Sequence, residues 1–466
     1  MDDGPEPDRR AERLEVRIVH GDRWEAALLA KLRERPPPAF ILGGGASSQA
    51  LGFIRSLGRR GVPVIALSTR PGPRFWSRYC ASRDVLATEM DLLARLLSVG
   101  RRLPGKGVIV ATGDTEVLFL SRNRGPLAQY FHFVMPPPAI VEQMADKGFQ
   151  CRFAAGIGVP VPATHQPETA ADVDKLACVL RYPCVVKPAH AHLWRERRPK
   201  DGRWRWTKAV QVETPQELRA VCERMRECGV DFLVQDRIEG DESRLYALYA
   251  YLDRRSEPLA TCVIQKQRQW PPHYGSGSYS VTCRRDRVVE LALTLLRRLG
   301  YQGVANVEFK LDPEDEELKF IEMNFRCGDR IGLALAAGVD IPFIAYRDIL
   351  GKPVAAARSH EMGVNWINSL TDGAAVLSHY RRADGLGWWG WARTVLTARS
   401  HAYFAWDDPM PFVANVVETA RREAVPFCRA LRRERPRDGV ATASSREPRP
   451  IGGLPTSSRG SPRARR

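Results

Sequence analysis

At 466 residues the chain exceeds what one ordinary hydrophobic core fills, so two or three packed subdomains with tails are expected. Its 44% hydrophobic and 27% charged residues are those of a globular protein, and no run approaches the roughly 20 apolar residues of a membrane helix, which excludes a membrane span. A net charge of +17, from 71 basic and 54 acidic residues, admits nucleic acid or an anionic small molecule as partner.

Location decides between these. Residues 431–466 hold ten arginines against three acids in a Pro, Ser and Gly-rich stretch that cannot form a core, the pattern of a solvated tail. No aromatic-interleaved patch or nucleic-acid module accompanies it, so no nucleic-acid partner is expected. The first residues, MDDGPEPDRRAERLE, lack the apolar core of a signal peptide, and a cytoplasmic location is expected. The ten cysteines are scattered without C-x-x-C spacing and read as free thiols.

In chain order, residues 1–38 form a charged arm with one candidate helix, closed by a proline run at 36–38 that resists regular structure. AFILGGG, SSQALGFIRSLGRRG and VPVIALS then read as strand, glycine turn, helix and strand, the opening of a parallel βαβ unit. Further strands near 83–87 and 107–113 complete an open α/β domain over 39–135. The turn at Gly43, Gly44 and Gly45 does not complete G-x-G-x-x-G, because Ser48 holds the last place, and it is read as structural. From 136 to 351 come a helical stretch (IVEQMADKGFQCRFAAGIG), a helix at 170–180, the strand YPCVVKP, a basic loop from Trp194 to Lys208, a helix at 215–228 and the strand FLVQDRIEG. The strands RLYALYAYLD and LATCVIQKQ, the helix VVELALTLLRRLG and two further strands follow. This order suggests α+β subdomains closing around a cleft. Residues 352–430 read as a helical extension in which Trp388, Trp389 and Trp391 are expected to pack into a core, a membrane-surface or partner-binding face being the competing reading, ahead of the tail at 431–466.

The most informative stretch is VANVEFKLDPEDEELKFIEMNFR, two alternating strands around a charged turn. Centring the turn on Asp315 makes Glu308 and Glu322 cross-strand neighbours with Asn324 on the same face, while Val307, Phe309, Ile321, Met323 and Phe325 turn to the core. Two carboxylates converging on an apolar-backed sheet repel each other and lose solvation, a conflict that Mg²⁺ resolves with oxygen ligands. A wet hairpin face with ordinary Glu and Asn side chains is the competing reading.

Together these features resemble the ATP-grasp superfamily over roughly residues 40–351. That resemblance implies an N-terminal open α/β (pre-ATP-grasp) domain, a two-subdomain ATP-grasp fold over 136–351 and a helical C-terminal extension. It implies that Lys147 in MADKGFQ, Lys187 in VVKP and Lys208 in WTKAV neutralise ATP phosphates. Gln235, Asp236 and Ile238 correspond to the adenine hinge and Glu242 to the ribose ligand. Glu308, Glu322 and Asn324 match the magnesium ligands, Mn²⁺ being able to substitute, and Arg326 the group that stabilises an acyl phosphate. Within the superfamily the chain looks most like carboxylate-amine ligases related to D-aspartate ligase and the carbamoyl phosphate synthase large subunit. It departs from many relatives in having a basic, tryptophan-containing loop after Lys187 instead of a glycine-rich flap. Lys266 and Arg268 are candidates to attract a substrate carboxylate beneath a flexible GSGS run at 275–278. The implied reaction joins a small-molecule carboxylate to an amine, with a homodimer allowed for; the alternative is a nucleotide-binding scaffold without turnover.

Overall fold

The computed structural model describes residues 22–32, 35–44, 48–199 and 208–433, with side chains from Trp24 to Arg421. The arm up to residue 21, Gly45 of the glycine turn, residues 200–207 of the basic loop and the tail from 434 lie outside the described residues. The chain divides into two compact units, Met1–Glu418 and Thr419–Arg466; the account below concerns the first.

The expected parallel βαβ opening forms a sheet of five strands, β1 (Ala39–Leu42), β2 (Val64–Ser68), β3 (Cys80–Val85), β4 (Gly107–Ala111) and β5 (Phe131–His132), in the order β3-β2-β1-β4-β5. All pairings are parallel. Every residue of β1 and β2 is buried, as a parallel sheet covered on both faces requires. The third strand begins earlier than the sequence suggests, because Cys80 already pairs with Val64.

A second sheet, β6 (Thr164–His165), β7 (Cys184–Pro188), β8 (Val210–Val212) and β9 (Phe232–Asp236), is antiparallel in the order β6-β9-β7-β8. Its apolar face, including Val186 and Val234, packs with Val173, Leu218, Val221 and Cys222 of the helices Ala170–Val179 and Pro215–Glu227. Thr169 and Asp172 form a capping box at the first of these helices, satisfying donors that the helix leaves open.

The third sheet joins β10 (Leu245–Leu252), β11 (Pro258–Trp270), β12 (Ser276–Thr282), β13 (Gly303–Leu311), β14 (Leu318–Asn324), β15 (Asn365–Ile367) and β16 (Ser400–His401) in the order β14-β13-β10-β11-β12-β15-β16. Its central strand β10, LYALYAYL, is buried at all positions because it has a core on each face. Tyr246, Leu248, Ala250 and Leu252 share one cluster with Leu291 and Leu295. Ala247, Tyr249 and Tyr251 share another with Ile331 and Ile344, the period of two expected of a strand. The second cluster also contains residues of the first sheet and of the helix Ser48–Arg59. A Cβ on Gly52 of that helix would stand 2.2 Å from Ile331 Cγ2, so the absence of a side chain there permits the close approach.

Three expectations are corrected. The GSGS run is not a flexible cover: Ser276 onward is strand β12, and Ser278 and Ser280 are fully buried. The extension is not purely helical, since β15 and β16 add to the sheet. Trp388 and Trp389 of the helix Trp388–Leu396 are 47% and 90% exposed, so a tryptophan core forms only at Trp391, which packs with Ala375, Val376 and Tyr380. The nine cysteines among the described side chains are free.

Candidate active site

Strands β13 and β14 pair with Glu308 opposite Glu322 and Asn306 opposite Asn324. The register is not uniform, however. Phe309 faces Phe320, so Ile321 is the extra residue of a bulge between Glu308 and Phe309. A bulge bends the strand and re-aims the adjacent side chains. Ile321 therefore lines the cavity above the hairpin instead of entering the core, which corrects its sequence-based placement. Val307, Phe309, Met323 and Phe325 are buried.

That cavity spans about 1070 Å³ of empty space, the solvent at its open mouth included. Lys147, Lys187, Lys208, Gln235, Asp236, Ile238, Lys266, Glu308, Glu322, Asn324 and Arg326 all line it. The structure thus brings together residues from the second and third sheets and the helix Lys147–Gly156. Asp146 caps this helix by accepting from Gly148 N, and Lys147 N donates to Ala189 O just beyond β7 at 3.0 Å. Gln150, one turn on, exchanges hydrogen bonds with both backbone groups of Met323. Lys147 is thereby held over β14, its Nζ 2.8 Å from Glu322 Oε2.

Electrostatics of the cavity follow from burial opposed by pairing. Burial works to raise the Glu322 carboxyl, but Lys147 and Lys208 outweigh it and hold it below the usual range. Glu308 is likewise lowered against burial, chiefly by Lys266, whose Nζ lies 2.6 Å from Glu308 Oε2. Lys187 lacks such compensation: burial, then the charge of Lys147, pushes it down to about 8. Lys208 is also lowered by burial, and it donates to Ser276 Oγ of β12 at 2.7 Å.

Arg326 donates from Nε to Asp114 Oδ1 at 2.6 Å, and Arg195 reaches the other oxygen at 3.3 Å. Burial would raise Asp114, but the two guanidinium groups hold it at about 2. Sequence reasoning missed Asp114, whose partner is 212 residues away. It also missed Lys310, which donates to Ile238 O at 2.8 Å and Gly240 O at 2.7 Å and so fixes the hinge backbone. The alternation along β13, which puts Asn306, Glu308 and Lys310 on one face, is the signal that would have found it. At the hinge, Gln235 donates to Thr164 Oγ1 at 2.7 Å.

Two expected site residues are not on the cavity wall. Arg268 is turned away into a forked pair with Asp372, donating from Nε at 3.0 Å and Nη2 at 2.8 Å. It therefore serves packing of the extension, and its assignment to substrate is withdrawn. Glu242 is buried beneath the turn after β11 and accepts from His273 N at 2.8 Å. Burial raises its pKa but the His273 hydrogen bonds bring it down to about 2. It holds His273, which does line the cavity, so Glu242 is a support for that wall.

The donor set fits Mg²⁺. Glu308 and Glu322 are directly opposed, Asn324 lies beside them, and the buried Oδ1 of Asn306 has no hydrogen-bond partner. Among the described residues no group of three or more His, Cys, Asp and Glu makes a metal centre by itself, so phosphate and water oxygens would complete the shell, as is usual for Mg²⁺. The cavity wall carries eight Lys and Arg against four Asp and Glu, an excess suited to a polyanion.

A parallel-sheet domain followed by two mainly antiparallel sheets that share a lysine-rich, carboxylate-floored cavity is the ATP-grasp architecture, and this chain has that fold. Residues 229–370 match the family model described as ATP-grasp in the biosynthetic pathway with Ter operon. The chain is similar to D-aspartate ligase of Enterococcus faecium, with 25% identity over 53% of this chain and 60% of that protein. It spans less than two thirds of the length of the curated relatives it matches first. Among solved structures, a biotin carboxylase–beta-gamma-ATP complex from Campylobacter jejuni superposes with a TM-score of 0.54 at 17% identity, covering 71% of this chain and 74% of that one. L-amino acid ligase from Bacillus licheniformis gives 0.51 at 17% identity, covering 69% and 76%. These structural likenesses speak to the fold. Among the described residues no helix is long and apolar enough to cross a membrane.

Proposed function

We propose that the protein is an ATP- and Mg²⁺-dependent carboxylate-amine ligase. The observation that carries this reading is the opposed Glu308–Glu322 pair set among Lys147, Lys187, Lys208 and Lys266 in one cavity. Lys147, Lys187 and Lys208 hold the phosphates of ATP, and backbone groups from Asp236 to Ile238, kept in place by Lys310, meet the adenine. Glu308, Glu322 and Asn324 would hold Mg²⁺, which supplies charge neutralisation at the phosphates when bound. A substrate carboxylate oxygen attacks the γ-phosphorus and ADP departs, leaving an acyl phosphate. Arg326, oriented by Asp114, stabilises the charge on that phosphate. The amine nitrogen then forms the C–N bond, loses its proton to water, and inorganic phosphate leaves with the bonding pair.

This chemistry asks the protein for positioning and electrostatics rather than for a nucleophilic side chain. Similarity to D-aspartate ligase supports amino-acid substrates, and dependence on ATP supports a cytoplasmic enzyme. The test is phosphate release from ATP and Mg²⁺ with a panel of amino acids and amines. Release stimulated by a carboxylate–amine pair and abolished in Glu322→Ala is expected. ATP binding without release for every pair would replace the ligase with a nucleotide-binding scaffold.

A further inference from the structure

Away from the catalytic cavity, a second cavity of about 760 Å³, the solvent at its mouth included, lies along the seam between the first sheet domain and the third sheet. Lys106, directly before β4, Arg124, in the helix Arg124–Ala128, and His132 of β5 come to it from the first domain. Arg254, in the turn between β10 and β11, and Gln302, directly before β13, come from the other side. Among the described residues no Asp or Glu lines it, and it shares no wall residue with the catalytic cavity.

The positive charge of this cavity is unbalanced. Lys106 Nζ donates to Ala128 O at 2.7 Å, Arg124 Nη2 to Met135 O at 2.9 Å and Pro136 O at 2.8 Å, and Arg254 Nη2 reaches Phe133 O at 3.5 Å. Each cation thus meets a backbone carbonyl, and among the described residues none of them has a carboxylate partner. The acids nearest Arg254 in sequence are committed elsewhere: Asp253 Oδ1 accepts from Arg255 N at 2.8 Å and Glu257 N at 2.9 Å, and Glu257 pairs with Arg297 at 2.9 Å. The repulsion registers on the groups themselves. Burial, then the charge of Arg254, lowers the pKa of Arg124, and burial, then Lys106 and Arg254, lowers that of His132, so the charge of Arg254 is felt across the seam.

Like charges gathered in a concave site without a counter-charge attract an anion, and the site's curvature focuses their field. We infer that this cavity is a second anion site, separate from the catalytic one, that takes a small phosphoryl-bearing polyanion of the pyrophosphate class on Arg124, Arg254 and Lys106. Arg124 engages its two carbonyls through Nη2, so the edge formed by Nε and Nη1 is left to a ligand. Guanidinium forks match phosphoryl oxygens in geometry, and two of them with an ammonium call for more negative charge than a single carboxylate carries. The bound anion spans the seam: Lys106 and Arg124 belong to the first domain and Arg254 to the third sheet. It therefore removes the repulsion between these parts and holds them together, whatever reaction the catalytic cavity performs.

The test is calorimetric titration of the full chain, without added metal, with pyrophosphate, inorganic phosphate and chloride at matched ionic strength. Wild type is compared with Arg254→Gln, Lys106→Gln and Lys187→Gln. Arg254 and Lys106 are exposed, so their variants keep the fold, whereas Lys187→Gln weakens phosphate binding in the catalytic cavity. Pyrophosphate is expected to bind more tightly than inorganic phosphate and to keep its affinity in Lys187→Gln. In Arg254→Gln its Kd should rise about tenfold, and in Lys106→Gln by less, as loss of a charge-assisted hydrogen bond requires, while the ADP affinity of both variants stays within about twofold. The thermal midpoint of the wild type should rise with pyrophosphate and that of Arg254→Gln much less, because a ligand stabilises only the state that binds it. Pyrophosphate binding that is lost in Lys187→Gln and untouched in Arg254→Gln would put the anion in the catalytic cavity and overturn the second site. An affinity no greater than that for chloride would overturn it, as would parallel losses of ADP and pyrophosphate binding in both exposed variants.

Discussion

Lys187, next to last in β7, lies on the cavity wall, and burial together with Lys147 brings its pKa to about 8. Below that value it carries the charge that a nucleotide phosphate needs, and a bound phosphate raises its pKa further. ADP affinity is therefore expected to be flat below pH 8 and to weaken above it, by up to about tenfold per pH unit. Calorimetric titration from pH 7 to 9.5 checks this, and Lys187→Arg, charged throughout, should flatten the profile. Arg326 makes a second prediction: Asp114→Asn removes the charge that orients it and should lower kcat by about tenfold or more while leaving the KM for ATP nearly unchanged. At this scale the glutamate pair was legible because its hairpin spacing is local, whereas the lysines were legible only through the family resemblance that their order along the chain supports. Arg330, buried on the cavity wall, was legible in neither way, since it caps the helix Ile331–Ala336, where a lone arginine in sequence looks like any surface residue.

Among elements, one buried carboxylate joins the helices of the extension to the third sheet, which β15 and β16 extend. Asp372 is fully buried and accepts from Arg268, from Ser278 Oγ at 2.7 Å and from Trp391 Nε1 at 3.1 Å. Tyr380 OH accepts from Gln269 N at 3.0 Å, so the same extension fixes the strand that carries Gln269. Asp372→Ala strands a buried guanidinium and should cost about 3–5 kcal/mol, seen as a lower denaturation midpoint with an unchanged slope. Thr169→Ala, which removes an exposed capping box, should cost only about 1 kcal/mol. Most elements were legible from apolar periodicity. The bulge at Ile321 and strand β12 were not: a bulge inserts one residue without altering composition, and serines and glycines become strand only when β11 and β15 pair with them on either side.

For the whole molecule, charged contacts between distant segments hold the Met1–Glu418 unit together. Asp408 accepts from Arg55 Nε at 2.9 Å, Ser77 Oγ at 2.7 Å and Arg78 N at 2.9 Å, joining the extension to the first sheet domain. Asp114 and Glu242, both held at about 2, give the fold an acid dependence whose sign is fixed. A depressed carboxyl stabilises fully above its unfolded value, about 3.9 for Asp and 4.3 for Glu, and loses that contribution as pH falls toward 2. Urea denaturation between pH 6 and 2.5 should show stability nearly constant down to about pH 5 and falling below it. In Glu242→Gln the fall should be shallower, because one of the titrating pairs is gone.

The sequence by itself determined the order of elements, the parallel opening sheet and the Glu308–Glu322 pairing, because apolar alternation and hairpin symmetry act over a few residues and are written in the local pattern. Only the tertiary structure decided which charges reach the cavity. Arg268 and Arg330 both lie within reach of the sheet, but Asp372 removes the first and Gly277, where a Cβ would stand 2.5 Å from Arg330 Nη1, makes room for the second. Those choices depend on side chains up to 104 residues apart, where burial and pairing, rather than propensity, set the free energy of each charge.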